Sequence, residues 1–182
     1  MRKEEIYLAT RCPCKYCSGT RLSDKLVNWI LDFEKYLGKK LTLTSGARCE
    51  IYNREIGGHW NSPHLTDING IGHAIDFQVP GMKPIEIAFE VERQNPKGRI
   101  GIYEKHVHRD FEKPNPSKFW YVNKEYIYSG QIKTLKEFLE KLKKEGRLSH
   151  DDRNTYNRIN SNSGSMVYIQ SKGIPKSGYR EL

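Results

Sequence analysis

The sequence predicts an α+β domain in which a small antiparallel sheet is flanked by helices. Two segments have the apolar spacing of amphipathic helices, four others read as strands, and glycines punctuate the joints. At 182 residues the chain has room for one hydrophobic core.

Residues 23–37, SDKLVNWILDFEKYL, form the first strong helix pattern. Leu26, Val27, Ile30 and Leu31, with Phe33 or Leu37, make its apolar stripe, and Ser23 stands at the capping position. Gly38 stops it, because glycine readily takes the left-handed conformation that follows a helix end. LTLTSG (41–46) reads as a short strand ending in a turn, and CEIYNREIGG (49–58) as a short helix closed by two glycines. HAIDFQV (73–79) alternates, with Ile75, Phe77 and Val79 on one face and Ala74, Asp76 and Gln78 on the other.

PIEIAFEVERQ (84–94) fits a helix or a strand by its own pattern. RIGIYEKHVH (99–108) reads as one strand with Ile100, Ile102, Glu104, His106 and His108 on a single face, and SKFWYVN (117–123) as an edge strand. Residues 132–145 repeat the helix pattern through Ile132, Leu135, Phe138, Leu139 and Leu142. Beyond Gly146 the composition turns polar and poor in aliphatics. The expected organisation is a domain over 1–130, a helix over 131–149 packed on or appended to it, and an irregular or partly disordered polar tail over 150–182.

The net charge of +9 points to anionic partners, either nucleic acid or a phosphate- or carboxylate-rich polymer such as a bacterial cell wall. No zinc-finger pair, RNP-like strand or basic heptad region is present, so specific nucleic-acid binding is not expected. Much of the excess sits in KTLKEFLEKLKKEGR, which reads as a solvated helix face. No run approaches the ~20 apolar residues of a membrane span. The opening MRKEEIYLATRCPCKYC lacks the apolar stretch of a signal peptide, so cytoplasmic synthesis without Sec-type export is expected, with a monomer as the default.

Five of the six histidines (59, 64, 73, 106 and 108) fall within fifty residues, three of them beside the glycine-rich loop of SPHLTDINGIGHAIDFQV. A catalytic zinc commonly takes three protein ligands and keeps a fourth position for water. Asp76 and His108 lie on expected strands that hold them rigidly, and His64 lies at the mouth of the loop leading to Asp76. Two histidines and one aspartate leave such a site one net positive charge, enough to bring bound water to a pKa of about 7. His106 precedes His108 by two residues, so strand parity points both rings the same way. Asp67 and His73 are further candidate ligands, and parity turns His73 away from Asp76. Cys12, Cys14, Cys17 and Cys49 suit disulfides, free thiols or a structural zinc. Disulfides or free thiols together are favoured over zinc on spacing, because C-x-C-x2-C with a distant fourth cysteine is not the usual pairing of two C-x2-C units.

Several motifs occur together and in order: Ser45-Gly46-Ala47-Arg48-Cys49, Asn53 to Gly57-Gly58, Ser62-Pro63-His64, Gly72-His73-Ala74-Ile75-Asp76 and His106-Val107-His108-Arg109-Asp110. Across about residues 8–122 this series resembles the zinc D-Ala-D-Ala carboxypeptidases of peptidase family M15. It is most similar to the subgroup found in Streptomyces carboxypeptidases and in phage and prophage cell-wall hydrolases. The resemblance implies the hedgehog/D-Ala-D-Ala-peptidase type of fold and makes 84–94 a helix. It implies Zn2+ held by His64, Asp76 and His108, and His106 beside the metal assisting proton transfer or the transition state. It also implies Arg48 receiving a substrate carboxylate, a task its planar fork suits, and Ser62 bonding the substrate backbone. The implied reaction is hydrolysis of peptidoglycan peptides, with the cell wall as site of action.

Two departures stand out. His64 and Asp76 are twelve residues apart, more than in the family pattern, which places extra loop beside the site. Where related families carry a carboxylate base, three residues before the last histidine, this chain has Lys105, leaving Glu104 as a secondary candidate beside His106. Both departures also fit a second reading, a catalytically weak or inactive module that keeps the fold and metal and binds the wall.

Overall fold

The computed structural model describes residues 1–17, 19–111 and 117–162. Its elements in chain order are α1 (Lys3–Thr10), β1 (Arg21–Leu22), α2 (Asp24–Leu37), β2 (Thr42–Ser45), α3 (Glu50–Glu55), β3 (Ile71–Gly72), β4 (Ala74–Gln78), α4 (Pro84–Gln94), β5 (Arg99–Ile102), β6 (Val107–Asp110), β7 (Phe119–Asn123), β8 (Glu125–Tyr128), α5 (Leu135–Lys144) and α6 (His150–Asn162). The class is α+β. The main sheet has six strands in the order β2-β4-β6-β5-β7-β8, and β1 and β3 form a separate two-stranded parallel pair. The sheet is mixed rather than purely antiparallel, because β5 pairs with β7 in parallel while its other pairings are antiparallel.

One face of the sheet makes the core. Ile75, Phe77, Ile100, Ile102, Val107, Phe119, Tyr121 and Ile127 pack with the apolar stripes of α2, α4 and α5 in one continuous cluster. The α2 stripe is the expected one. Trp29 and Phe33 meet the edge of Phe77 at 5.6 and 5.9 Å between centroids, and Gly38 ends the helix at φ 64°. Ser23 occupies the capping position without a side-chain capping bond. Helix α5 buries Leu135, Phe138, Leu139 and Leu142 and exposes Lys136, Lys141 and Lys144, so its positive charge is a solvated face. Arg109 also points into the core face, where its guanidinium donates to the Asn95 and Lys97 carbonyls and lies over Trp29 and Phe111. No helix among the described residues is long and apolar enough to cross a membrane.

Four local expectations are corrected. Residues 99–108 are not one strand: Tyr103 N donates to His106 O at 3.0 Å, closing a tight hairpin between β5 and β6 with Glu104 and Lys105 at its tip. Glu104 is exposed at that tip, so it shares no strand face with His108 and loses the geometric basis for a role as base. β7 is interior, because β8 pairs outside it and forms the edge. Residues 150–162 are helical rather than irregular. Tyr156 is buried in the core, and Asp152 accepts from the Tyr121 hydroxyl at 2.7 Å. The rest of the expected tail, 163–182, lies outside the described residues.

Candidate metal centre

The opposite face of the sheet carries a row of residues that face one another across all six strands. Ser45 pairs with Asp76, Asp76 with His108, His108 with Gly101, Gly101 with Trp120, and Trp120 with Tyr128. Asp76 and His108 are therefore direct cross-strand neighbours, fixed by backbone ladders rather than by loops. A Cβ on Gly101 would stand 2.3 Å from the Trp120 ring. The bare glycine thus lets the indole lie across the strand and reach His108, with 5.0 Å between ring centroids. Trp120 Nε1 donates to the Tyr103 hydroxyl at 3.1 Å.

His64 arrives from the loop. Arg48 N donates to His64 O at 2.8 Å and Thr66 N to Arg48 O at 2.9 Å, so the two segments run side by side into the site. The preceding turn needs its glycine: a Cβ on Gly46 would stand 2.4 Å from the Thr10 carbonyl oxygen, to which Ala47 N donates at 2.8 Å. That close approach presents the Gly46 carbonyl to His64 Nδ1 at 2.8 Å.

The result is a compact triangle. His64 Nε2 lies 3.1 Å from Asp76 Oδ1 and 3.0 Å from His108 Nδ1, and His108 Nδ1 lies 2.8 Å from the same Oδ1. The outward ring nitrogens are both taken. His64 Nδ1 faces the Gly46 carbonyl, and His108 Nε2 faces Asp110 Oδ2 at 2.9 Å. A carbonyl and an ionised carboxylate only accept, so each outward nitrogen carries the N–H and each neutral ring turns a lone pair inward. Two lone pairs and a carboxylate oxygen at such distances repel unless a cation or a proton lies among them. Ligands bound tetrahedrally at about 2.0–2.1 Å stand about 3.4 Å apart, so the triangle needs to open only slightly to hold a metal ion. The donor set fits one, and histidines oriented by an outer carboxylate and carbonyl are the usual support of a metal site.

The charges agree. Burial opposes the ionisation of Asp76, but the His108 and His64 rings outweigh it and hold the carboxyl well below the usual range. Burial lowers the pKa of His64. Burial would also lower that of His108, yet Asp110 and Asp76 together raise it to about 9. In the metal-free protein a proton therefore sits on the inward nitrogen at neutral pH, and proton and metal compete for one position. Asp110 is anchored in turn by Arg99, whose Nε and Nη2 lie 2.9 and 3.0 Å from its two oxygens.

The other expected site residues are placed as follows. Arg48 donates from Nη2 to Asp76 Oδ2 at 3.2 Å and to Ser45 Oγ at 2.8 Å, so it holds the aspartate oxygen that faces away from the histidines. His106 is half-buried beside the site and stacks on Tyr103 at 4.4 Å, with its pKa lowered mainly by burial. Ser62 Oγ accepts from His64 N at 3.3 Å and so shapes the loop. Asp67 and His73 stay out of the triangle. Asp67 Oδ1 accepts from the Asn69 and Ile71 backbones, and its other oxygen faces His73 at 3.7 Å. Together with Gly70 at φ 73° and the β1–β3 pairing, this turns the extra loop into an ordered turn that presents Ile68 to solvent. His106 also borders a cleft of about 1090 Å³ lined by Tyr103, Glu104, Val122, Lys83 and Asp151, which none of His64, Asp76 and His108 lines.

Sequence reasoning missed the supports. Asp110 carried a signal, since it follows His108 by two residues and so shares its face. The Gly46 carbonyl carried none, because any residue has one. Gly101 and Trp120 become partners only through the parallel β5–β7 pairing.

An α+β sheet presenting two imidazoles and a carboxylate around one point defines the class as a protein built to hold a metal ion. The family follows from comparison: residues 1–110 match the Peptidase M15 family, and the chain belongs to it, a family of metallopeptidases. Neither a comparison with curated proteins nor one with solved structures gave a match.

Proposed function

We propose that this chain is a zinc-dependent peptidase that hydrolyses peptide bonds in peptidoglycan, as a D,D-carboxypeptidase or an endopeptidase of phage or prophage origin. The observation that carries the reading is the convergence of His64 Nε2, Asp76 Oδ1 and His108 Nδ1, with both outward nitrogens tied to acceptors. Bound there, zinc supplies a Lewis acid and a water acidified to about neutral pKa. The protein's own residues do the rest. Asp110 and Gly46 fix the two imidazoles, and Arg48 fixes Asp76. His106, kept neutral by burial, takes a proton from water and returns it to the leaving amine. With Glu104 displaced to the hairpin tip, His106 is the residue beside the site suited to that task. A basic chain of net charge +9 suits an anionic wall.

Lys105, standing where relatives carry a carboxylate base, favours a second reading, a metal-containing wall-binding module without turnover. Incubating the metal-quantified protein with muropeptides separates the two. Wild type is expected to release D-alanine or a cleaved peptide, His108→Ala to lose metal and activity together, and His106→Ala to keep metal but lose turnover. Zinc-loaded wild type that cleaves nothing supports the binding module.

A further inference from the structure

A second cluster of metal-ligating side chains lies outside the hydrolytic site. The sulfurs of Cys12, Cys14, Cys17 and Cys49 all lie within 4.8 Å of one another. Cys12 and Cys49 are 3.7 Å apart, Cys14 and Cys17 3.2 Å, and Cys14 and Cys49 3.3 Å. Four thiolates bound tetrahedrally at about 2.3 Å from zinc stand about 3.8 Å apart, close to these separations. Disulfides describe the cluster poorly. A bond of about 2.05 Å requires a unique partner, whereas Cys14 is nearly equidistant from two. The unusual spacing no longer counts against zinc, because Cys49 is brought by the fold to complete the C-x2-C turn of Cys14 and Cys17.

The backbone around the cluster is arranged for thiolates. Cys49 N donates to Cys12 Sγ and Tyr52 N to Cys49 Sγ, each at 3.4 Å. Arg11 and Lys15 flank the ligands in the chain. The described part of residues 11–20 forms no helix or strand, and Cys12 is its only buried hydrophobic residue. Apolar packing contributes little there, which is the situation in which small structures use a metal staple.

We propose that Cys12, Cys14, Cys17 and Cys49 bind a structural Zn2+ as four thiolates, fastening the N-terminal strap to the loop that carries Gly46 and Arg48. Binding deprotonates the thiols and releases their protons to solvent, with no change of oxidation state. The ion acts on the hydrolytic site through position alone. Cys49 follows Arg48, which holds Asp76, and the same loop presents the Gly46 carbonyl to His64. The inference stands apart from any peptidase activity, since it concerns different ligands and a different metal ion.

The test is metal content and cobalt spectroscopy on the full chain, comparing wild type, the double variant His64→Ala/His108→Ala and the double variant Cys14→Ser/Cys17→Ser. Wild type is expected to hold two metal equivalents and the histidine variant one. Reloaded with Co2+, the histidine variant should show thiolate-to-cobalt charge transfer and the strong ligand-field bands of a tetrahedral site. The cysteine variant should lack that charge transfer. If it fails to fold, the spectrum of the histidine variant decides the matter alone. A histidine variant that holds no metal and gives no charge transfer with cobalt overturns the proposal, whether its cysteines are then found as disulfides or as free thiols.

Discussion

Lowering the pH perturbs the candidate metal centre chiefly at one atom, His108 Nδ1. Asp110 and Asp76 raise the pKa of that ring to about 9, so without metal it is protonated throughout the neutral range. A metal must displace this proton, and each pH unit below about 9 weakens apparent affinity about tenfold, or ~1.4 kcal/mol. From about pH 8 to about pH 6 the loss is roughly 100-fold, ~2.7 kcal/mol. The other two ligands add little. Asp76 stays ionised because its pKa is held well below the usual range, and His64, lowered by burial, stays mostly neutral. The expected dependence is therefore one proton per metal, with affinity rising as the pH rises. Competition against a chromophoric chelator corrected for its own protonation measures the slope. Calorimetry in buffers of different ionisation enthalpy counts the proton released. A flat profile would mean that Asp110 and Asp76 do not hold His108 charged, and a slope of two protons would mean that His64 titrates as well.

Three further outcomes follow from particular contacts. His106→Ala should lower kcat on a muropeptide substrate by about 10²–10⁴-fold while leaving the metal content of the triangle unchanged, as metal analysis of the same preparation would show. Asp110→Asn replaces the acceptor that orients His108 and should weaken metal binding about 10–100-fold. Chelator competition reads that loss, and the pH slope should flatten alongside it as the imidazole loses a carboxylate neighbour. Gly101→Ala drives a methyl group to 2.3 Å from the Trp120 ring, which is confined between His108 and Tyr103. It should cost about 1–3 kcal/mol in denaturant unfolding and shift the tryptophan emission.

The parts of the fold legible in the sequence are those in which burial and periodicity coincide. Helix α2 shows its stripe and its Gly38 stop, and β4 shows its alternation because one face meets the core while the other meets the site. The β5–β6 hairpin is hidden, because its Glu104-Lys105 tip contains none of the glycine, asparagine or proline that usually marks a turn. A two-residue tip also keeps the alternation running through it. The turn between β7 and β8 is hidden for a similar reason: Lys124 takes φ 66° where glycine would have given it away, so the true edge strand goes unseen. Helix α6 looks irregular because Tyr156 is its one deeply buried aromatic anchor, with Ile159 only partly buried. Its hold on the domain also comes from polar contacts such as Asp152 to Tyr121, which no hydrophobic pattern reports. At the site, histidines and an aspartate announce themselves by type. The atoms that decide which way the imidazoles face, the Gly46 carbonyl and the Asp110 carboxylate, become visible only once the strands are in register.

Anomalous diffraction at the absorption edge of the bound metal tests the central claim most directly. A peak is expected inside the triangle, about 2.0–2.2 Å from His64 Nε2, Asp76 Oδ1 and His108 Nδ1. A metal-loaded crystal with no peak there, or with Asp67 or His73 supplying a ligand in place of one of the three, would contradict it.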